Sequence, residues 1–340
     1  MQNKKYNIAI VGATGAVGLE LLGLMTERNF PVSNLLLLAS SRSAGKCLEF
    51  QGRKIVVQEL NEKLFRNIDI AFFSAGSQRS LDYASIAAQN GVVVIDNSSA
   101  YRMDEDVPLV IPEINPREVA LYNRKNIIAN PNCTTAVMLM GIKPIHDLSG
   151  IKRIVATSFQ AVSGAGAQAI DELSDQTRKW ANSDKITSSI FPHQIAFNLI
   201  PHIDKFTGNG YTKEEMKLLN ETQKILNDNN IMVTATTVRV PVFRSHCISV
   251  NVETESKVEL TRVIEAYKSF PGLRVVDNPD KSLYPMPIES SGIDDCLIGR
   301  IREDYTIENG INFWISGDQL RKGAALNAIQ IAEVLITNYV

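Results

Sequence analysis

Two short segments of the chain carry residue types from which covalent catalysis is built. The first is Asn130-Pro131-Asn132-Cys133-Thr134-Thr135, a cysteine just past an apolar stretch and at the start of an apolar helical pattern. Pro131 punctuates the entry and Asn132 is a good N-cap. A thiol in a first helical turn meets unpaired backbone N–H groups and the positive end of the helix dipole, both of which favour the thiolate. A free cysteine is more often a small buried hydrophobe, so its position has to decide. The second segment, Arg239 to His246 in RVPVFRSH, sets a guanidinium and an imidazole around a bend that Pro241 helps to enforce. His246 is a candidate general base; the alternative is a histidine satisfied within the fold.

A third segment gives the thiol a context. Gly12-Ala13-Thr14-Gly15-Ala16-Val17-Gly18 follows an apolar strand and opens a helix. Glycines there let the backbone turn tightly and approach a pyrophosphate, whose charge the helix N-terminus meets. The spacing is GxxGxxG rather than GxGxxG, a variant of the dinucleotide fingerprint. At the end of the next strand, where an NAD enzyme places an acid against the ribose 2′-hydroxyl, this chain has Ser40-Ser41-Arg42. Hydroxyls and a guanidinium suit a 2′-phosphate, so NADP is the cofactor expected; the alternative is a solvated loop arginine. A thiolate beside a nicotinamide ring has one obvious use. It adds to a carbonyl carbon, and the thiohemiacetal gives up hydride to become a thioester.

The remaining cysteines lack such a setting: Cys47 reads as loop, Cys247 follows His246 in a strand pattern, and Cys296 sits where the pattern is mute. The four cysteines include no CxxC pair, so neither a disulfide framework nor a metal site is indicated. With 340 residues, 21% of them charged, and a formal net charge of -2, the chain is long enough for two domains and has no basic excess for nucleic acid. No run approaches the ~20 apolar residues of a membrane span, and the N-terminus enters a strand directly, so a cytoplasmic location is expected.

The elements that must hold these residues come in two styles. Strand patterns at Tyr6 to Val11, Leu35 to Ala39, Ile68 to Phe73, Val92 to Ile95 and Ile127 to Ala129 alternate with helical ones near Val17 to Arg28 and Ser80 to Asn90. That rhythm predicts an α/β fold, a Rossmann-type doubly wound parallel sheet. After a helix from Cys133 to about His146, longer β-rich segments of more polar alternation predict an α+β domain with a largely antiparallel sheet. The last helical pattern, about Gln319 to Asn338, is apolar at Leu320, Ala324, Ala328, Ile331 and Leu335 and needs a groove.

Taken in order, GATGAVG, ASSRSAG, FFSAGS, NPNCTT, FQAVSGAG, RVPVFRSH and DQLRKGAALN resemble aspartate-semialdehyde dehydrogenases almost end to end. The resemblance implies that residues 1–130 and 319–340 bind NADP, that residues 131–318 form the catalytic and dimerisation domain, and that the protein is a homodimer. It matches Cys133 to the acyl-forming nucleophile, His246 to the general acid/base, and Gln160 to the residue that orients the substrate. Arg239 matches the clamp on the substrate carboxylate, and Glu214 the residue facing its amine. Arg102, Asn132 and Lys217 match phosphate-binding positions, while Ala13 to Ala16, Ser41, Arg42, Ser163, Gly164 and Gln319 match cofactor positions. Gln319 stands where many relatives carry Asn, and Cys247 where Ser is more usual; the second leaves an oxidative pairing with Cys133 as a hypothesis. The implied reaction reduces L-4-aspartyl phosphate to aspartate 4-semialdehyde, releasing inorganic phosphate, on the way to lysine (through diaminopimelate), threonine and methionine.

Rival readings remain to be separated. A glyceraldehyde-3-phosphate dehydrogenase shares a Cys-Thr-Thr helix start but places a histidine where this chain has Gln160. An N-acetyl-glutamyl-phosphate reductase sets its cysteine in a PGCYPT-like context. A cysteine hydrolase has no need of GATGAVG, and a redox-sensing NADP-binding module would bind cofactor without turnover.

Overall fold

The computed structural model of the chain describes residues 4–340. It divides into two compact units, Met1–Asn132 with Ala324–Val340, and Cys133–Gly323. In the first unit the chain runs through β1 (Tyr6–Val11), α1 (Ala16–Glu27), β2 (Val32–Ala39), a hairpin of β3 (Cys47–Phe50) and β4 (Arg53–Val56), and β5 (Gln58–Glu59). It continues through β6 (Ile70–Phe73), α2 (Ser77–Gln89), β7 (Val93–Asp96) and β8 (Ile127–Ala129). The main sheet has the order β5-β2-β1-β6-β7-β8 with every pairing parallel. Ile8, Ile10, Ile70 and Phe72 are fully buried, as strands covered on both faces require. Strand order reverses between β1 and β6, and their carboxyl ends form the crevice where open α/β sheets take ligands.

The C-terminal helix, Leu326–Asn338, returns to this unit. It places Leu326, Ile329, Ile331 and Leu335 in the same core as Leu21, Met25 and Phe72. Each such side chain contributes about 1.5–3 kcal/mol by leaving water.

The second unit contains α3 (Cys133–Ser149), β9 (Ile151–Gln160), α4 (Ala167–Ala181), α5 (Lys213–Leu226), β10 (Met232–Arg239) and β11 (His246–Thr254). It then adds α6 (Leu260–Ser269), β12 (Leu273–Val275), α7 (Pro287–Ser290), β13 (Cys296–Asp304) and β14 (Gly310–Gly317). Its sheet has the order β10-β9-β11-β14-β13-β12, antiparallel through the three central pairings and parallel at both edges.

Three expectations change. The terminal helix begins at Leu326 rather than near Gln319, because Arg321–Ala325 winds as a wider π turn. Residues 131–132 belong with the first unit and 319–323 with the second: the Gly323 N–H donates to the Asp318 carbonyl, and the Gln319 side chain bonds to Ser163 and Ser245. Cys47 opens strand β3 and is exposed instead of lying in a loop. No helix among the described residues is long and apolar enough to cross a membrane.

Candidate active site

The second unit gathers its chemistry at one end of the sheet. Gln160 closes β9, Arg239 closes β10 and His246 opens β11; Gln160 is the register partner of both others. Cross-strand partners share a sheet face, so a guanidinium, an amide and an imidazole stand side by side. All three are nearly inaccessible, at 5%, 2% and 0% exposure. Cys133, the first residue of α3, is half-buried and electrostatically coupled to Arg239. A Cβ on Gly323 would lie 2.8 Å from the Cys133 Cβ, so only glycine lets the π turn pass Cys133 that closely.

One residue sets the orientation of two of these groups. The Ala161 carbonyl accepts from Arg239 Nη1 at 2.6 Å, and the Ala161 N–H donates to His246 Nδ1 at 3.1 Å. With Nδ1 an acceptor, the neutral ring carries its proton on Nε2, which is buried without a hydrogen-bond partner among the described residues. Burial, reinforced by the neighbouring Arg239 charge, pushes the His246 pKa down from 6.5 to about 3. A Cβ at Gly164 would come within 3.3 Å of Nε2 and 2.9 Å of Arg239 Nη1, so the glycine keeps that corner open. Among the described residues no carboxylate forms an ion pair with Arg239, whose pKa burial lowers despite Glu214 and Cys133 nearby. A desolvated cation with no carboxylate paired directly to it favours an anionic ligand.

Glu214 reaches this group from the first turn of α5. Its carboxylate accepts from Gln160 Nε2 at 3.3 Å and pairs with Lys217 Nζ at 2.9 Å. Lys217 is held also by Asp204 at 3.0 Å. Burial would lower the lysine pKa, but the two acids outweigh it and the net shift is upward, so the ammonium stays charged. The start of α5 is fixed by a capping box: the Thr212 hydroxyl accepts from the Glu215 N–H, and the Glu215 carboxylate from the Thr212 N–H. Glu215 also accepts from the Thr237 N–H on β10, tying the Glu214 turn to the strand that ends in Arg239. The sequence signal, Thr-x-x-Glu, was available.

In the first unit the glycine turn, Thr14, Ser41 and Arg42 line an open cleft of about 390 Å³ at the ends of β1 and β2. Gly12 has φ +92° and a Cβ there would lie 2.3 Å from the Ser74 carbonyl oxygen, so the turn admits only glycine. Ala13 is buried beneath it, and Ala16 and Val17 begin α1. Arg42 is exposed at the rim, and Arg79 and Tyr83 of α2, which sequence reasoning missed, line the same cleft. A helix that follows a strand at the topological switch point is the signal that could have found them. A glycine cradle, a helix N-terminus and arginines lining the cleft suit a phosphorylated dinucleotide.

Ser163, Gly164 and Gln319 do not line that cleft; they lie in the second unit, where Gln319 donates to Ser163 Oγ and accepts from the Ser245 N–H at 2.6 Å. Arg102 and Asn132 belong to the first unit and are nearly buried. Arg102 is fixed by the carbonyls of Asn130 and Asn97 at 2.9 and 2.8 Å. Cys247 alternates to the sheet face opposite His246 and donates to Ser316 Oγ at 3.2 Å. Burial pushes its thiol up to about 12, which disfavours the Cys247 thiolate as a partner in oxidation.

A parallel sheet with a glycine-rich turn in one unit, and a cysteine, histidine and arginine group in the other, are parts that an aldehyde dehydrogenase working through a thioester requires. Residues 7–122 match the family model described as semialdehyde dehydrogenase, NAD binding domain, and residues 142–322 the one described as semialdehyde dehydrogenase, dimerisation domain. The aspartate-semialdehyde dehydrogenase of Aquifex aeolicus is 53% identical over 97% of this chain and 98% of that relative. The crystal structure of aspartate semialdehyde dehydrogenase II from Vibrio cholerae superposes with a TM-score of 0.97 at 48% identity, covering 99% of this chain and all of that one. A second Vibrio cholerae structure, described as complexed with ASA, matches equally well. A Candida albicans structure described with NADP matches at a TM-score of 0.75 and 25% identity. The chain belongs to the aspartate-semialdehyde dehydrogenase family, and the glyceraldehyde-3-phosphate dehydrogenase, N-acetyl-glutamyl-phosphate reductase, hydrolase and redox-sensor alternatives are set aside.

Proposed function

We propose that the chain reduces L-4-aspartyl phosphate to L-aspartate 4-semialdehyde with NADPH, using Cys133 as the nucleophile. The observation that carries this reading is the row of Arg239, Gln160 and His246 at the sheet end, in the same unit as a half-buried cysteine. Arg239 holds the substrate carboxylate through N–H groups that Ala161 does not use, and Glu214 faces the amine. Gln160 orients the acyl carbon. Arg102, Asn132 and Lys217 receive the phosphate.

Cys133 thiolate attacks the acyl carbon, the C–O bond to phosphate breaks, and a thioester remains. Gly12 to Val17, Ser41 and Arg42, with Ser163, Gly164 and Gln319, hold the cofactor, which supplies hydride when bound. His246, its proton on Nε2, donates to the carbonyl oxygen as charge builds there. When the thiohemiacetal oxyanion, held by the His246 Nε2–H hydrogen bond, collapses to aldehyde and thiolate, that hydrogen bond is released and the cycle closes.

Residues 142–322 match a dimerisation domain, which supports a homodimer. Work in the cytoplasm, ahead of lysine, threonine and methionine synthesis, accords with this chemistry. A nicotinamide absorbance assay tests the reading in reverse. Aspartate semialdehyde with phosphate should reduce NADP, and omission of phosphate should stop turnover; no absorbance change with both present would overturn it.

A further inference from the structure

We propose that Phe191 is a positioning residue for Arg239, the aromatic wall that turns the guanidinium toward the substrate carboxylate and keeps water from its other side. The proposal rests on the reading of Arg239 as the carboxylate clamp and extends it to a segment to which that reading gives no role. After α4 the chain runs without helix or strand to the bridge at Ile200. An irregular stretch of that length needs its backbone groups satisfied, and two buried side chains of α4 do this.

The Glu172 carboxylate accepts from the Ser189 N–H at 3.0 Å, the Ser189 hydroxyl at 2.8 Å, the Ile190 N–H at 2.5 Å and the Phe191 N–H at 3.5 Å. Burial alone would raise the Glu172 pKa, but these donors outweigh it and hold the carboxyl below its usual range. Four donors on one carboxylate fix this part of the loop, and Gln176 secures the far end. Its Oε1 accepts from the N–H groups of Ile195 and Ala196 at 2.9 and 3.0 Å, and its Nε2 donates to the Thr187 carbonyl at 3.1 Å. Ile200 then exchanges both backbone hydrogen bonds with Arg239, at 2.8 and 3.0 Å.

The segment is thus tied at one end to a helix and at the other to the backbone of Arg239. Between these anchors Phe191 packs on the cluster of Val162, Leu173 and Ile195, with its ring centroid 5.9 Å from the Arg239 guanidinium carbon. An aromatic face attracts the cation but offers no lone pair to divert its N–H groups. One N–H is committed to Ala161 and the others stay available to an anion. Water excluded from the ring side also strengthens the ion pair that a bound carboxylate would form.

The test is steady-state kinetics of the full-length enzyme with aspartate semialdehyde, phosphate and NADP. Phe191→Leu should raise KM for the semialdehyde about three- to thirtyfold, the range of a partly desolvated cation–π contact, with kcat changed less than about twofold and KM for NADP unmoved. Phe191→Tyr keeps the ring and should stay near wild type. In an Arg239→Lys background the Phe191→Leu effect should shrink, since the two residues act as one unit. Equal losses in kcat and KM for both cofactor and substrate, or a Phe191→Tyr variant as impaired as Phe191→Leu, would overturn the proposal. An unchanged semialdehyde KM in Phe191→Leu, while Arg239→Leu loses substrate, would overturn it and leave the clamp standing. Retained substrate affinity in Arg239→Leu would instead remove the clamp itself.

Discussion

In the proposed mechanism Cys133 and His246 do different work, and their environments say how to tell them apart. Cys133→Ser keeps the shape but replaces a thiol with a hydroxyl scarcely ionised at neutral pH. Turnover should fall by several orders of magnitude with NADP binding little changed; substantial residual activity would remove the thioester from the mechanism. His246 carries a signature in stability as well. Its folded pKa of about 3 lies below the ordinary 6.5, so the native state resists protonation that the unfolded chain accepts. The stability tied to neutral His246 is therefore fully present above pH 6.5 and is lost as pH falls toward 3, at roughly 1.4 kcal/mol per pH unit. Denaturant unfolding of wild type and His246→Gln between pH 7 and 4 should show the wild type losing about 2–4 kcal/mol more than the variant. Parallel stability curves would mean the imidazole is protonated in the fold. The glutamine variant, still a neutral donor, should also keep more activity than His246→Ala.

At the scale of elements, the sheet ends and helix starts decide where these side chains meet. The glycine turn, the cysteine at the head of α3 and several strands of the first sheet were legible because each is written in a few consecutive residues. The row of Arg239, Gln160 and His246 was not: the three come from strands paired in a register that only the folded sheet defines. Residue spacing predicted a bend between Arg239 and His246 but not that Gln160 stands between them. The same limit hid Phe191, whose place depends on side chains of α4 nearly twenty positions earlier. It also hid Gly323, which matters only because Cys133 lies against it. The capping box on α5 was readable, and its removal makes a clean element-level experiment. Thr212→Ala should cost about 1 kcal/mol in denaturant unfolding and raise KM for the semialdehyde more than it lowers kcat, since Glu214 rides on that turn. A stability loss with unaltered KM would show that Glu214 does not depend on the cap. Gly323→Ala should be harsher on turnover, because the added methyl must displace the nucleophile's own backbone or the π turn, at about 1–3 kcal/mol of overpacking.

Across the whole molecule, the proposed mechanism has two chemical steps that can be run apart. The glycine-turn cleft lies in the first unit, and the proposed nucleophile, imidazole and clamp in the second. Formation of the thioester needs only thiolate and acyl phosphate, whereas its reduction also needs hydride from bound cofactor. Without NADPH, the enzyme mixed with aspartyl phosphate should therefore release about one equivalent of phosphate per active site in a burst, with an acyl adduct on Cys133 visible by intact mass. Arg42→Asp should leave this burst unchanged, since it alters a residue lining the proposed cofactor cleft and none of those assigned to substrate or phosphate. It should weaken NADPH use in the second half by roughly ten- to a hundredfold, the worth of a charge-assisted contact of about 1.5–3 kcal/mol, and move the preference toward NADH. Cys133→Ser should show the reverse pattern, NADP binding without a burst. An Arg42→Asp enzyme that lost its burst would mean the halves are coupled through the cofactor cleft, and an unchanged NADPH preference would mean that the 2′-phosphate is read elsewhere, with Arg79 on the same cleft the next residue to replace.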